Sequence, residues 1–337
     1  MKIFNGLFQK IAVTITSIFI LVATQTPSIV LAQGIRPLVV HPDYQMTPDI
    51  YDDKVVFTDN RINNVWQVYL YDIDRDEQIQ ISKTPYQALH PKIYKDKVVY
   101  SQYNEQNYPN IHLYDIDSGE TIQITNLPNS DRQYPAIYKD KIVWADNRNP
   151  ANSFDIYMYD LDKKKETQIT NDSFNQTAPQ IYQNNIVYQD ERNGNGDNDI
   201  FMYDLKTKAT TQITNQPRNQ VNPQIYNNKI VWEDYRMPNP SNEHGIADIY
   251  MFDLKTGTET QITNSNTEET QPKIFKNKVV FRDASNNNGD ILLYLINKEK
   301  IVPVSQNSNI QNNPAISRNG IIWLEYINGV PDIYISE

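Results

Sequence analysis

Four times in this chain an aspartate and an arginine stand two positions apart, directly after a strand-forming run: Asp59/Arg61, Asp146/Arg148, Asp190/Arg192 and Asp234/Arg236. Arranged around a ring, such pairs could grip anionic or sugar groups. Kept each within its own repeat, they would lock a loop to its strand by ion pairs and hydrogen bonds. Catalytic residues are seldom copied again and again, so the recurrence favours the second reading. One loop, Asn193 to Asp199, has enough oxygen ligands for calcium in Asn193, Asn195, Asp197 and Asp199, but it lacks the spacing and the closing bidentate Glu of an EF-hand. His41, His90, His112 and His244 are the only histidines, and three of them, His41, His90 and His244, are expected in loops on one face. There is no Gly-x-Ser-x-Gly, no His-Glu-x-x-His and no phosphate loop. The expectation is a protein without a unique reactive constellation. It calls for no cofactor, with calcium as the ion its Asn193–Asp199 loop could take.

The elements that would position these residues repeat. Pro48, Pro91, Pro135, Pro179, Pro223, Pro272 and Pro314 recur at spacings of 42 to 49 residues. Each opens a copy of one pattern: Pro-x-Ile-Tyr, a two-residue turn, a run such as Ile142-Val143-Trp144, a polar loop, Asp155-Ile156-Tyr157-Met158-Tyr159-Asp160-Leu161, then Gln168-Ile169-Thr170. A period in the low forties with four short strands per copy predicts an all-β, seven-bladed β-propeller of four-stranded antiparallel blades. The proline is expected at the first position of each first strand, where its missing N–H costs nothing. The middle strands are apolar on both faces, so each sheet must be covered on both sides, as stacked blades are. The seventh copy ends after its third strand. The segment before Pro48 lies in fourth-strand register, so Leu38 and Val40 are expected beside Tyr334 and Ile335, closing the ring.

Turns between first and second strands and between third and fourth are tight. The other connections are long and emerge on one face, where binding residues gather on a rigid scaffold. Residues 233 to 247 form the longest, stiffened by Met237-Pro238-Asn239-Pro240. Tyr103, Tyr134 and Tyr235, with Arg148, Arg192 and Arg236, are the candidate contacts for a partner, because aromatic and Arg side chains dominate binding hot spots. The Tyr-Asp pairs of the third strands are expected to pack and to cap turns.

Ile230-Val231-Trp232-Glu233-Asp234-Tyr235-Arg236 and Asp248-Ile249-Tyr250-Met251-Phe252-Asp253-Leu254 resemble the TolB-type, or WD40-like, propeller repeat, in the variant found in archaeal and bacterial surface proteins. The resemblance covers nearly all of residues 36 to 336. The Ser-Pro-Asp-Gly turn usual in TolB is replaced by Tyr-Lys-Asp-Lys or Tyr-Asn-Asn-Lys, and TolB's separate N-terminal α/β domain has no counterpart. The resemblance therefore implies an exported binding or scaffolding propeller. The alternative is a propeller-fold glycan lyase or hydrolase with a metal site near the axis, since some propeller lyases hold a metal through histidines there.

The address is read from the first 32 residues. Lys2 and Lys10, an apolar run from Ile11 to Ala23 and Val30-Leu31-Ala32 form a signal peptide cleaved after Ala32, leaving residues 33 to 337 as one propeller domain. Export to the periplasm or cell surface follows. The chain of 337 residues has no cysteine and a net charge of -10, and loss of Lys2 and Lys10 makes it more acidic. That charge argues against nucleic acid and anionic lipid as partners. An envelope or extracellular protein or a polysaccharide remains, with no membrane insertion once the signal is removed.

Overall fold

The computed structural model describes residues 34–149, 153–193, 196–239, 242–285 and 288–337. The proposed signal peptide therefore lies outside the described residues. Among those described, no helix is long and apolar enough to cross a membrane. Seven four-stranded antiparallel sheets follow one another, and in six of them the strand order is sequential. In blade three, for example, the strands are Arg132–Tyr138, Lys141–Asp146, Asp155–Asp160 and Lys165–Gln168, from the axis outwards.

The seventh blade is completed from the other end of the chain. Its strands Ile310–Ile316, Ile321–Ile327 and Val330–Ser336 accept Ile35–Val39 as the outermost strand. The expected closure is present, but its register differs. Arg36 pairs with Ile335 and Pro37 with Tyr334, a bulge falls between Pro37 and Val39, and Val40 lies past the strand end, 64% exposed. Pro37 cannot donate to the ladder, and the bulge lets both Leu38 and Val39 turn inward. They join Ile50, Phe57, Leu324 and Ile333 between blades one and seven, and Arg36 pairs with Glu337 at 2.7 Å.

The repeat's residue types explain the blades. Second strands such as Val55-Val56-Phe57 and Ile142-Val143-Trp144 are buried on both faces, which stacking of neighbouring sheets achieves. Trp144, Trp232 and Trp323 are fully buried and lie over Tyr157, Tyr250 and Tyr334. In blades two to five the threonine of Gln-Ile-Thr closes the blade by a two-way hydrogen bond. Thr170 Oγ1 accepts from Ile156 N at 2.8 Å and donates to Asp155 Oδ1 at 3.2 Å, and Thr214 and Thr263 repeat this with Asp199 and Asp248. The second aspartate of the third strand caps the following turn, as expected: Asp160 Oδ1 accepts from Lys163 N and Asp253 Oδ1 from Lys255 N.

Two expectations need correction. The strands of the fifth blade run on as a long ribbon, Lys229–Asn239 with Asn242–Asp253, where a loop was expected. Gly245 allows it: with φ of +88°, an added Cβ would stand 2.2 Å from the Tyr235 carbonyl oxygen. The anchoring prolines do not open their strands either. Each first strand begins three or four residues earlier, as in Ala88–Tyr94 and Ile310–Ile316, and the proline sits inside it at a β-bulge. Two residues, the proline and the one before it, face a single residue of the second strand, so the missing N–H falls where the ladder is interrupted.

Candidate functional site

The seven bulges meet at the axis. In every blade the residue before the proline has a positive φ between 50° and 58°: Thr47, His90, Tyr134, Ala178, Asn222, Gln271 and Asn313. None is glycine, so each holds a conformation that costs its side chain about 1–2 kcal/mol. The neighbouring blades help fix these residues. Asn222 N donates to Gln189 Oε1 at 3.2 Å, Gln271 N to Glu233 Oε1 at 2.7 Å, and Asn313 N to Gln271 Oε1 at 2.6 Å. The first strands start from the long inter-blade loops and end at the tight turns, so the bulges lie towards the long-loop face. They surround a cavity of about 240 Å³ on the axis.

In four blades the position after the proline lines this cavity with a charged or amide side chain: Lys92, Gln180, Gln224 and Lys273. Lys92 Nζ lies 3.7 Å from Asp49 Oδ1, and Asp49 Oδ2 also accepts from Ile93 N at 3.1 Å. Lys273 has no carboxylate at ion-pair distance among the described residues. Burial, and then the nearby Lys92, pull its pKa down to about 7. Glu233 accepts from Asn222 Nδ2 at 2.9 Å, and burial raises its carboxyl pKa. His90 lies against the Tyr134 ring, 4.9 Å between centroids, and its Nδ1 is buried without a hydrogen-bond partner. Burial, with Lys92 beside it, lowers the His90 pKa to about 4, so the imidazole is neutral at physiological pH. The cavity lining thus offers two lysine amino groups, one neutral imidazole and several amides, with Asp49 and Glu233 behind it. That set can receive an anion.

The Asp-x-Arg pairs lie away from the axis and clip each loop to its own blade. In Asp146/Arg148, Arg148 N donates to Asp146 Oδ1 at 3.0 Å and Nε to Oδ2 at 2.9 Å. The guanidinium covers the Tyr157 ring at 4.1 Å and reaches Glu166 at 2.6 Å. Arg192 over Phe201 with Asp172, and Arg236 over Tyr250 with Glu259, repeat the arrangement. The three arginines sit in successive blades and do not converge on one point.

Among the tyrosines, Tyr134 is at the mouth of the axial cavity, 45% exposed. Tyr103 lines a separate groove with Tyr86 and His112. The Tyr235 hydroxyl lies 3.4 Å from Glu233 Oε2, and burial and then that carboxylate raise its pKa. In the candidate calcium loop, Asn193 Nδ2 donates to Asp199 Oδ2, Asp199 Oδ1 takes the Thr214 hydroxyl, and Asp197 is half-buried nearby. Asn195 lies outside the described residues. His112 stacks on Tyr100, and His41 Nδ1 accepts from Asp43 N. No group of three or more His, Asp or Glu among the described residues is placed to hold a metal. Lys92 and Lys273 are not among the sequence-derived candidates, because they stand in strands and not in the long loops. Aligning the copies on their prolines would have put Asp49, Lys92 and Lys273 in one column.

No family model matches the chain, and no curated protein matches it in sequence. Solved structures do. An oligogalacturonate lyase in complex with manganese superposes with a TM-score of 0.69 at 12% identity, over 90% of this chain and 92% of that one. The β-propeller domain of the Trilobed protease from Pyrococcus furiosus, described as having an open velcro topology, gives 0.68 at 12% over 88% and 95%. TolB from Acinetobacter baumannii gives 0.54 at 18% over 74% and 62%. The likeness is one of fold: the chain is a seven-bladed β-propeller, similar in fold to TolB and to these other propellers, with its ring closed by the N-terminal strand.

Proposed function

We propose that this chain is an exported, non-catalytic binding propeller that recognises a protein or polysaccharide partner on its long-loop face, with a carboxylate of that partner seated in the axial cavity. The carrying observation is the meeting of Lys92 and Lys273 on the axis, the latter without an ion-pair partner among the described residues. A half-buried ammonium without a partner is costly, and an anion supplied from outside removes that cost. Tyr103, Tyr134 and Tyr235 with Arg148, Arg192 and Arg236 are the surrounding contacts proposed for the same partner. The likeness to a manganese-bound lyase raises the second reading, a glycan lyase or hydrolase. The axial residues do not fit a divalent cation, because the lining sets two lysines beside a single imidazole and includes no carboxylate.

Capture from an envelope extract tests the proposal, with the mature chain and its Lys273→Met variant as baits. Met keeps the length of the side chain and removes the charge. The wild type should recover a partner that the variant loses, while both unfold at similar temperatures. Equal recovery by both would remove the axial cavity from the binding site. Because bound anion favours the charged ammonium, affinity should also fall as pH rises through 7.

A further inference from the structure

The opposite mouth of the channel, at the tight-turn face, has a different chemistry. Six blades place an aromatic residue three positions after the proline: Tyr51, Tyr94, Tyr138, Tyr182, Tyr226 and Phe275. Each touches the next around the axis, with ring centroids 4.7 to 5.2 Å apart and planes tilted by 42° to 65°. All six are half-buried, which leaves part of every ring facing a bowl of about 410 Å³. The seventh blade puts Ser317 there, so the aromatic ring has one open side. The floor carries the aliphatic groups of Ile50, Ile137, Ile181 and Ile316.

The rim is cationic although the chain as a whole is acidic. The next position in sequence supplies Lys95, Lys139, Lys276 and Arg318, all exposed, against one acid, Asp52. Three of these lean over the aromatic ring of their own blade, Lys95 on Tyr94, Lys139 on Tyr138 and Lys276 on Phe275, with the ammonium 5.1 to 5.9 Å from the ring centre. The nearby carboxylates Asp53, Asp96 and Asp140 are each taken by the lysine that follows them, Lys54, Lys97 and Lys141. The rim cations are thus left for an outside anion.

We propose that this mouth is a second docking site, for an acidic peptide segment of a partner protein that inserts one large apolar side chain among the tyrosines and lays flanking carboxylates on Lys95, Lys139, Lys276 and Arg318. An aromatic wall over an aliphatic floor rewards burial of an apolar group. The basic rim selects and steers acidic flanks. A sugar fits less well, because it needs hydroxyl partners at the floor. Here the floor is isoleucine. The chain would then hold two partners, one at each end of its axis.

The test is selection of a random peptide library displayed on phage against the immobilised mature chain, followed by titration of the enriched peptides. The expected peptides carry Leu, Phe or Trp with Asp or Glu on both sides. Their affinity should drop about ten-fold or more on the K139E/K276E double variant and weaken with added salt. Both positions are exposed, so the variant should fold as the wild type does. Lys273→Met, at the other mouth, should bind these peptides unchanged, which separates failure of this proposal from failure of the long-loop reading. No enrichment, enrichment without acidic flanks, or equal binding to K139E/K276E would overturn it. So would an acidic oligosaccharide, an oligogalacturonate, that alone binds and is lost on the double variant.

Discussion

Glu269 stands where four other blades have Gln45, Gln176, Gln220 and Gln311. Its side chain is buried with that of Asp248 close by, and burial pushes its pKa up to about 7. The folded chain therefore holds a proton between about pH 4.5 and 7 that the unfolded chain releases. Stability from this group is present below pH 4.5 and is lost as pH rises through 7. Glu269→Gln keeps the shape and removes the ionisation. The variant should be more stable than the wild type by about 2 kcal/mol at pH 8 and nearly equal to it at pH 5. Urea unfolding at the two pH values checks this, and a gain of equal size at both would exclude the proton linkage. The same position shows what a single chain reveals. The glutamine column was open to reading, but that its blade-six member is paired with Asp248 depends on packing between blades.

The bulged first strand is the element that makes the axial site, and it was only partly legible. The recurring proline was visible and marked every blade. Its place inside the strand was not, because proline at a strand start and proline at a bulge both avoid a ladder N–H. The positive φ before it left no signature either, since Thr, His, Tyr, Ala, Asn, Gln and Asn hold it in the seven blades and glycine in none. The same blindness shifted the closing strand, where the bulge after Pro37 moved Val40 out of the sheet. Tyr134, a binding candidate from the sequence, stands at the cavity, whereas Lys92 and Lys273 carry no loop or aromatic signal that marks them. Ala178 isolates the strain, because it has little side chain to lose. Ala178→Gly should stabilise the chain by about 1 kcal/mol, read as a higher denaturant midpoint at unchanged slope. A lower midpoint would mean that the bulge carries no strain there.

At the scale of the whole molecule, the ring is held by one short strand. Removing residues 34–41 deletes the ladder to Val330–Ser336, the burial of Leu38 and Val39 and the ion pair of Arg36 with Glu337. Several net hydrogen bonds at about 1 kcal/mol each, with that burial, should lower the melting temperature by roughly 10 °C. An unchanged melting temperature would show that the ring does not depend on this closure. Closure matters for function because an axial cavity needs all seven blades at fixed distances. The proposed partner is held on that axis from the long-loop side. Hydrogen exchange of the chain, alone and with the partner recovered by wild-type bait, tests it most directly. Slowed exchange should appear around the bulges, at residues 88–92, 176–180, 220–224 and 269–273. Slowing confined to the outermost strands, with the bulges unchanged, would contradict the account.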